Sequence, residues 1–346
     1  MRSLTNESLC KTPGMREGRA RIAVLHVAPC LLLMLVAGSC APEATPEPAK
    51  RSAAPDTISI LYTCDTRGNI SPCNCSAGIA GGIARRKTHI DKHRNGTTLI
   101  VDVGDNTAGG RPWELLELEY ILRGYAAIGY HAVNIGKREA GLPLDALKNV
   151  VAQHPFFVSA NVTEKDGTPI APAYRMVTLE GGYEVAILGI VDNTLLPDEI
   201  GEGISITPPE EAIAKTLPEI TAKTDFIVLL AFASDEAMKS LAERFFELDA
   251  IIGGEVEQPS GDPIVSNKSS IAYVTDKGKS VGKLDMRYIG GHFVAEKNEI
   301  EMLLDSVPDD PAVAAIVSEF KLKQTENNFP TKKEDEDGLT SILPAS

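Results

Sequence analysis

From Thr57 onward, short apolar segments that favour strands alternate with segments of helical periodicity, and polar loops stand where the strands end. The first half repeats strand and helix, which is typical of parallel strands joined by helical crossovers. The second half ends in consecutive strands. This order predicts an α/β protein, a four-layer sandwich of two mixed β-sheets flanked by helices.

The N-terminal segment is typical of export. Arg16, Arg19 and Arg21 precede an apolar stretch, 22–37, that is too short and too interrupted for a good membrane span. The stretch ends in small residues before Cys40, a pattern that resembles a bacterial lipobox. We therefore expect an exported bacterial lipoprotein, anchored to the membrane through Cys40 on the periplasmic or extracellular side. Plain secretion and an uncleaved anchor remain alternatives.

The remaining segments follow from composition. Residues after Cys40 are rich in Pro, Ala and Glu, as in a solvated tether. A helix is predicted over 309–323, followed by a polar tail. The predicted organisation is a lipoprotein signal peptide at 1–40, a tether at 41–56, an α/β domain at 57–305, and a C-terminal helix with its tail at 306–346.

Overall charge limits the partners. The formal net charge is −14, which argues against nonspecific binding of nucleic acid, because a phosphate backbone requires a basic protein surface. The expected partners are the membrane, through the anchor, and either a small anionic ligand or a redox partner protein.

Polar clusters follow five of the predicted strands, where active-site groups of α/β proteins collect. They occupy 65–68 (Asp-Thr-Arg-Gly), 104–106 (Gly-Asp-Asn), 136–139 (Gly-Lys-Arg-Glu), 231–234 (Ala-Phe-Ala-Ser) and 253–257 (Gly-Gly-Glu-Val-Glu).

The order and spacing of these loops resemble the calcineurin-like metallophosphoesterase domain of bacterial periplasmic 5′-nucleotidases, over roughly Thr57 to Leu304. That family has Asp-X-His, Gly-Asp, Gly-Asn-His-Glu, a single His and Gly-Gly-His-X-His at the five positions. The resemblance implies catalytic roles for Asp65, Asp105 and Glu139, and metal ligation by Asp65 and Asp105.

The same comparison shows departures at the metal ligands. Arg67 replaces one His, and Lys137 and Arg138 replace Asn-His. Charged Lys and Arg cannot ligate a cation, so the resemblance implies a subgroup depleted in metal ligands, with Asp65 and Asp105 vestigial. We expect a salt-bridged network in place of the metals, serving either structure alone or anion binding by Arg67, Lys137 and Arg138. The other replaced histidines correspond to Ala231, Glu255 and Glu257.

Three cysteines lie beside the first of these loops, Cys64, Cys73 and Cys75. The Cys-X-Cys pair resembles a subgroup of the family with a Cys-Gly-Cys-like motif. Three interpretations stay open: a disulfide from Cys64 to Cys73 or Cys75, a redox or sulfur-transfer site, and a metal bound by thiolates. In a redox or sulfur-transfer site, the thiolate would be favoured by the nearby Arg67, Arg85 and Arg86.

His89 and His93 stand four residues apart on a predicted helix, a spacing that can chelate a metal. Because the sequence pairs no carboxylate or cysteine with them, we expect a solvated or core-edge pair.

Two classes of function remain open. One is a noncatalytic anion-binding or thiol-redox module outside the membrane that lacks the dinuclear metal centre. The alternative is an active phosphoester hydrolase, nucleotidase-like or acting on a small phosphate ester, with atypical use of a divalent metal.

Overall fold

The structure is a computed structural model that describes residues 55–75, 78–195, 200–275 and 277–331. The predicted signal peptide, Cys40, nearly all of the tether and the end of the polar tail lie outside the described residues, as does the side chain of Cys75.

The described part contains α-helices and β-strands in the predicted alternation. The helices are α1 (Ile83–His93), α2 (Pro112–Ile128), α3 (Lys137–Ala140), α4 (Leu144–Gln153), α5 (Pro209–Ile220), α6 (Asp235–Arg244) and α7 (Pro311–Glu326). The strands are β1 (Thr57–Thr63), β2 (Cys73–Cys75), β3 (Gly78–Ala80), β4 (Thr98–Asp102), β5 (Ala132–Asn134), β6 (Phe157–Val158), β7 (Val162–Glu164), β8 (Tyr174–Leu179), β9 (Tyr183–Val191), β10 (Ile204–Ile206), β11 (Phe226–Phe232), β12 (Ala250–Gly254), β13 (Ile264–Ser266), β14 (Ser269–Tyr273), β15 (Ser280–Ile289) and β16 (His292–Met302).

Two six-stranded sheets form the centre, as predicted. The first has the strand order β16-β15-β1-β4-β5-β6, and the second β13-β14-β12-β11-β9-β8. In each sheet four neighbouring strands run parallel. They are β1, β4, β5 and β6 in the first sheet and β9, β11, β12 and β14 in the second, and antiparallel strands complete the edges. The predicted fold class of two mixed sheets is therefore confirmed.

The second sheet is buried on both faces because its strands are apolar at consecutive positions. Successive side chains of a strand point to opposite faces. Leu188 and Ile190 pack with α5 and α6, whereas Ile187 and Val191 join the core shared with the first sheet. Asn134 links the sheets directly, since its Nδ2 donates to the carbonyl oxygens of Val103 at 3.1 Å and Ile190 at 2.8 Å.

Helix α7 belongs to this core, so the boundary predicted after residue 305 is not a structural one. Val313, Val317 and Phe320 are buried with residues of α1 and α2, and the ring of Phe320 lies 5.7 Å from that of Tyr120. The helix also extends to Glu326, beyond the predicted end at 323. None of the helices in the described residues is long and apolar enough to cross a membrane.

Candidate functional site

The first three polar loops meet because β1, β4 and β5 are parallel neighbours. Backbone hydrogen bonds join the loops directly. The amide of Asp65 donates to the carbonyl of Gly104, and the amide of Arg67 donates to the carbonyl of Asp105, both at 2.9 Å. The carboxyl ends of the parallel strands thus place Asp65 and Asp105 at one edge of the sheet, as the sequence predicted.

Backbone strain is concentrated in the loops that follow strands β1, β4 and β12. Asp65, Arg67, Asp105 and Glu255 all have positive φ, at 65°, 44°, 61° and 59°. Among the described residues they are four of the seven non-glycine residues with positive φ. Such conformations cost of the order of 1–3 kcal/mol each and persist where surrounding contacts impose them, often at functional sites.

Asp65 is held from two sides. Its side chain is almost completely buried, and its Oδ1 accepts a hydrogen bond from Nε of Arg67 at 2.7 Å. Its Oδ2 accepts one from the Thr275 hydroxyl at 3.2 Å. Arg67, the positive charge that the sequence predicted in place of a metal ligand, therefore contacts the Asp65 carboxylate directly. Thr275 was missed by the sequence analysis because it lies on a loop of the second sheet.

Asp105 is buried and bound by the short helix α3. Its Oδ1 accepts the backbone N–H of Arg138 at 2.8 Å, and its Oδ2 lies 3.6 Å from Nε of Arg138. Burial, and after it the neighbouring Glu139 carboxylate, raise the pKa of Asp105 well above its ordinary value. A proton on Asp105 is therefore favoured relative to an exposed aspartate.

Glu139 does not reach the cleft as an exposed acid or base. Its carboxylate is fully buried and accepts four backbone N–H groups, at distances from 2.7 to 3.0 Å. The donors are Asp105, Asn106, Thr107 and Gly136. Glu139 thus shapes the loop that presents Asp105, and the predicted catalytic role is corrected to that of a positioning residue.

Three cationic side chains surround the resulting cavity of about 400 Å³. Its lining includes Arg67, Lys137 and Arg138 together with Asp105 and Glu255. The structure therefore brings together all three residues predicted to bind an anion. Glu257 instead lines a neighbouring cavity, so only the first of the two glutamates predicted at the histidine positions faces this cavity.

Ala231 has no side chain in the cleft. It is fully buried and packs with α6 on the helical side of the second sheet. The correspondence of Ala231 with a metal-binding histidine is therefore not supported by its position.

A buried polar network supports the cleft from below. Arg86 is fully buried and donates to the hydroxyl oxygens of Tyr125 at 2.7 Å and Thr66 at 3.0 Å. The Tyr125 hydroxyl also donates to Asn106 at 2.8 Å, and Asn106 donates to Asp102 at 2.8 Å. Sequence periodicity puts Arg86 on a basic helix, but its burial could not be predicted without knowledge of the tyrosine partner.

Cys64 does not have the environment of a reactive thiol. Its side chain is 1% exposed, and burial, followed by the carboxylates of Asp65, Asp102 and Asp105, raises the pKa of the thiol well above its ordinary value. The expectation that nearby arginines favour a thiolate, which concerned the Cys-X-Cys pair, does not extend to Cys64. Its Sγ packs against the backbone of Gly254, so closely that a Cβ added to Gly254 would lie 2.3 Å from the sulfur.

Cys73 lies apart from the cationic cavity. It is partly exposed on the β2–β3 hairpin and lines a separate cavity of about 610 Å³ with Trp113 and Phe320. Cys64 and Cys73 are both free thiols, so the alternative of a Cys64–Cys73 disulfide is not supported. No thiolate cluster that includes Cys64 is supported either, given its burial.

Comparison with solved structures identifies the fold. The chain superposes on a 5′-nucleotidase precursor from Thermus thermophilus with a TM-score of 0.67 and 22% identity, covering 78% of this chain and 59% of that one. It superposes on the calcineurin-like phosphoesterase YfkN from Bacillus subtilis with a TM-score of 0.63 and 22% identity, covering 79% and 98%. The chain therefore has the fold of the calcineurin-like metallophosphoesterases.

Sequence similarity points to one group of proteins with this fold. The chain is 26% identical over 316 residues to a 5′-nucleotidase of Vibrio vulnificus, which covers 79% of this chain and 56% of the relative. No family model matches. The chain is thus similar to 5′-nucleotidases and spans about half the length of the curated relatives that it matches.

Proposed function

We propose that this chain is a 5′-nucleotidase-like protein whose cleft binds a small oxyanion and lacks the dinuclear metal centre. One observation carries the proposal: Arg67, Lys137 and Arg138 line a single cavity that also includes the Asp105 carboxylate. The fold places that cavity at the carboxyl ends of the parallel strands, where α/β proteins bind their ligands.

The residues present do not suit two divalent cations. A two-metal phosphoesterase clamps a phosphate between cations about 3.5–4 Å apart. Here Nε of Arg67 hydrogen-bonds Asp65 at 2.7 Å, and the guanidinium of Arg138 lies 3.6 Å from Asp105. Bringing a divalent cation to either carboxylate would place it beside a fixed positive charge, which Coulomb repulsion opposes.

The charges favour an anion that carries a proton. Arg67 neutralises Asp65, and the raised pKa of Asp105 reduces the negative charge opposite Arg138. Lys137 and Arg138 then attract an oxyanion, while Glu255 offers a hydrogen-bond acceptor to a protonated oxygen. Hydrogen phosphate can donate to Glu255, whereas sulfate cannot, so we propose preference for inorganic phosphate over sulfate.

The proposal is tested by calorimetric titration of inorganic phosphate and of sulfate. We expect saturable phosphate binding that weakens at least tenfold in Lys137→Met and Arg138→Met. Lys297→Met is the matched control, because Lys297 is an exposed lysine paired with Glu299 on β16, and it should bind like the wild type. Glu255→Gln should reduce the preference for phosphate over sulfate. Equal binding in all variants would refute the assignment of the cavity.

The active hydrolase remains the competing function, favoured by the adjacent placement of Asp65 and Asp105. A phosphatase assay with added manganese, zinc or calcium distinguishes the two. Turnover that is abolished by Asp105→Asn would contradict the noncatalytic proposal.

The thiol chemistry is confined in this proposal to Cys73 and Cys75. Cys64 is excluded by its burial and raised pKa. Nonreducing peptide mapping of native protein tests this: a disulfide that contains Cys64 would contradict it.

The proposed location is the outer side of the membrane, with Cys40 lipidated. The apolar stretch and the small residues before Cys40 support it. Expression in a bacterial host with a labelled fatty acid should label the wild type and not Cys40→Ser. Equal labelling of both would exclude Cys40 as the attachment site.

A further inference from the structure

A second cluster of polar side chains lies on α1 and β16, outside the cationic cavity. His89 and His93 occupy the last two turns of α1, with ring centroids 4.3 Å apart. Glu301 on β16 approaches them, and its carboxylate oxygen lies 3.6 Å from Nδ1 of His89. One ligand atom from each of the three residues lies within 4.8 Å of the others. Glu301 could not be paired with the two histidines from the sequence, because it is distant from them along the chain.

The hydrogen bonding of His93 prepares it as a ligand. Its Nδ1 lies 2.9 Å from the carbonyl oxygen of His89. With a proton on Nδ1, the ring donates to that carbonyl and keeps the lone pair of Nε2 for a metal. Metal-binding histidines commonly donate their second ring nitrogen to a carbonyl or carboxylate in this way, which fixes both tautomer and ring orientation.

The position of His89 is restrained by packing. The residue is 4% exposed, so the close-packed core limits the movement of its ring beside Glu301.

We propose that His89, His93 and Glu301 form a binding site for a zinc ion, with water completing its coordination. Two histidines at i and i+4 on a helix with a glutamate are a known donor set for Zn²⁺. Zn–N and Zn–O bonds of about 2.0–2.2 Å require the ligand atoms to approach to about 3.3–3.5 Å in a tetrahedron. The Glu301 side chain is 53% exposed, so it can make that adjustment without disturbing the core.

Bound zinc would connect α1 to β16. These elements belong to different layers, because α1 packs on the first sheet while β16 is the edge strand of that sheet. The metal would therefore stabilise the folded protein through preferential binding to the native state. The proposed site does not depend on the proposed function of the cleft.

The experiment is zinc titration of the untagged, full-length protein by calorimetry, with thermal unfolding in parallel. We expect one equivalent of zinc to bind and to raise the melting temperature. His93→Ala and Glu301→Gln should each weaken binding at least tenfold and abolish the thermal shift. Glu299→Gln is the matched control, since Glu299 is an exposed neighbour of Glu301 on β16, and it should behave like the wild type.

Cobalt substitution separates this site from a cysteine site. Cobalt bound by nitrogen and oxygen ligands gives visible bands without the near-ultraviolet charge-transfer band of cobalt thiolates. The expected spectrum lacks the thiolate band in the wild type and disappears in His93→Ala. Absence of zinc binding, binding unchanged in both variants, or a cobalt–thiolate spectrum would each overturn the proposal.

Discussion

Nε of Arg67 donates a hydrogen bond to Oδ1 of Asp65 over 2.7 Å, and the Asp65 side chain is only 4% exposed. In the family that the sequence resembles, the residue at the position of Arg67 is a histidine ligand of the metal. The proposed replacement of a metal ligand by Arg67 thus has a direct contact with one of the two carboxylates that the resemblance assigns to the metals.

Replacing Arg67 should therefore destabilise the fold. In Arg67→Met the buried Asp65 carboxylate keeps its hydrogen bond from the Thr275 hydroxyl but loses the one from the Arg67 guanidinium. We therefore expect the free energy of unfolding to fall by about 1–3 kcal/mol. Urea denaturation measures it. Arg287→Met is the control: Arg287 forms an exposed ion pair with Glu296, and pairs of that kind contribute about 0–1 kcal/mol. Equal effects of the two substitutions would contradict the buried role of Asp65.

Asp105 should make stability fall as the pH rises. Its pKa is raised in the folded protein, so above the ordinary aspartate value of about 3.9 the native state binds more protons than the unfolded state. The stability from this group is complete at lower pH and is lost as the pH rises through the folded pKa. The stability of Asp105→Asn should therefore increase relative to that of the wild type as the pH rises from acid to neutral.

Denaturation curves across this pH range give the measurement. The control is Asp166→Asn, because the backbone N–H of Thr168 lowers the pKa of that exposed carboxyl. Its stabilising effect is present at higher pH and is lost as the pH falls, so this variant should show the opposite trend. An Asp105→Asn variant that loses stability relative to the wild type on going to neutral pH would contradict the assignment.

Thiol labelling should distinguish the cysteines. Cys64 should resist alkylation in the native protein and react after unfolding, because its burial and raised pKa disfavour the thiolate. Cys73, which is partly exposed, should react in the native state. Mass spectrometry of labelled peptides measures both. If Cys64 were labelled in the native protein as fast as Cys73, Cys64 would not be buried as described.

Truncation of side chains on α7 should show that this helix belongs to the domain. Phe320 is 5% exposed, and Phe320→Ala should cost about 3–5 kcal/mol. Leu322 on the same helix is 65% exposed, and Leu322→Ala should change stability by no more than about 0.5 kcal/mol. Thermal and chemical unfolding compare the two; similar small losses would mean that α7 is dispensable.

The sequence predicted the layers well because apolar periodicity reports burial directly. The strands of the second sheet, such as β9 and β11, are apolar at nearly every position, which is typical of strands buried on both faces. It missed the short strands β7 and β10, which have only three residues each and pair far apart along the chain. The hairpin of β2 and β3 could not be predicted from the sequence either, because its strands are defined by backbone pairing with each other and not by an apolar pattern.

The sequence predicted which residues form the site but not what each residue does there. Loop positions placed Asp65, Asp105 and the three cations together, since parallel strands share one carboxyl edge. The role of Glu139 could not be predicted, because it depends on four backbone N–H groups that only the folded loop brings together. The pairing of His89 and His93 with Glu301 likewise depends on the position of the edge strand β16.

The most direct test is the affinity for inorganic phosphate measured calorimetrically with a chelator and again with added manganese or zinc. His93→Ala should serve as the protein in both arms, so that zinc at the proposed α1–β16 site does not contribute. We predict the same phosphate affinity in both arms, reduced at least tenfold by Arg138→Met. Phosphate binding that appears only with added metal, and that is lost in Asp65→Asn, would contradict a cleft in which cationic side chains replace the metals.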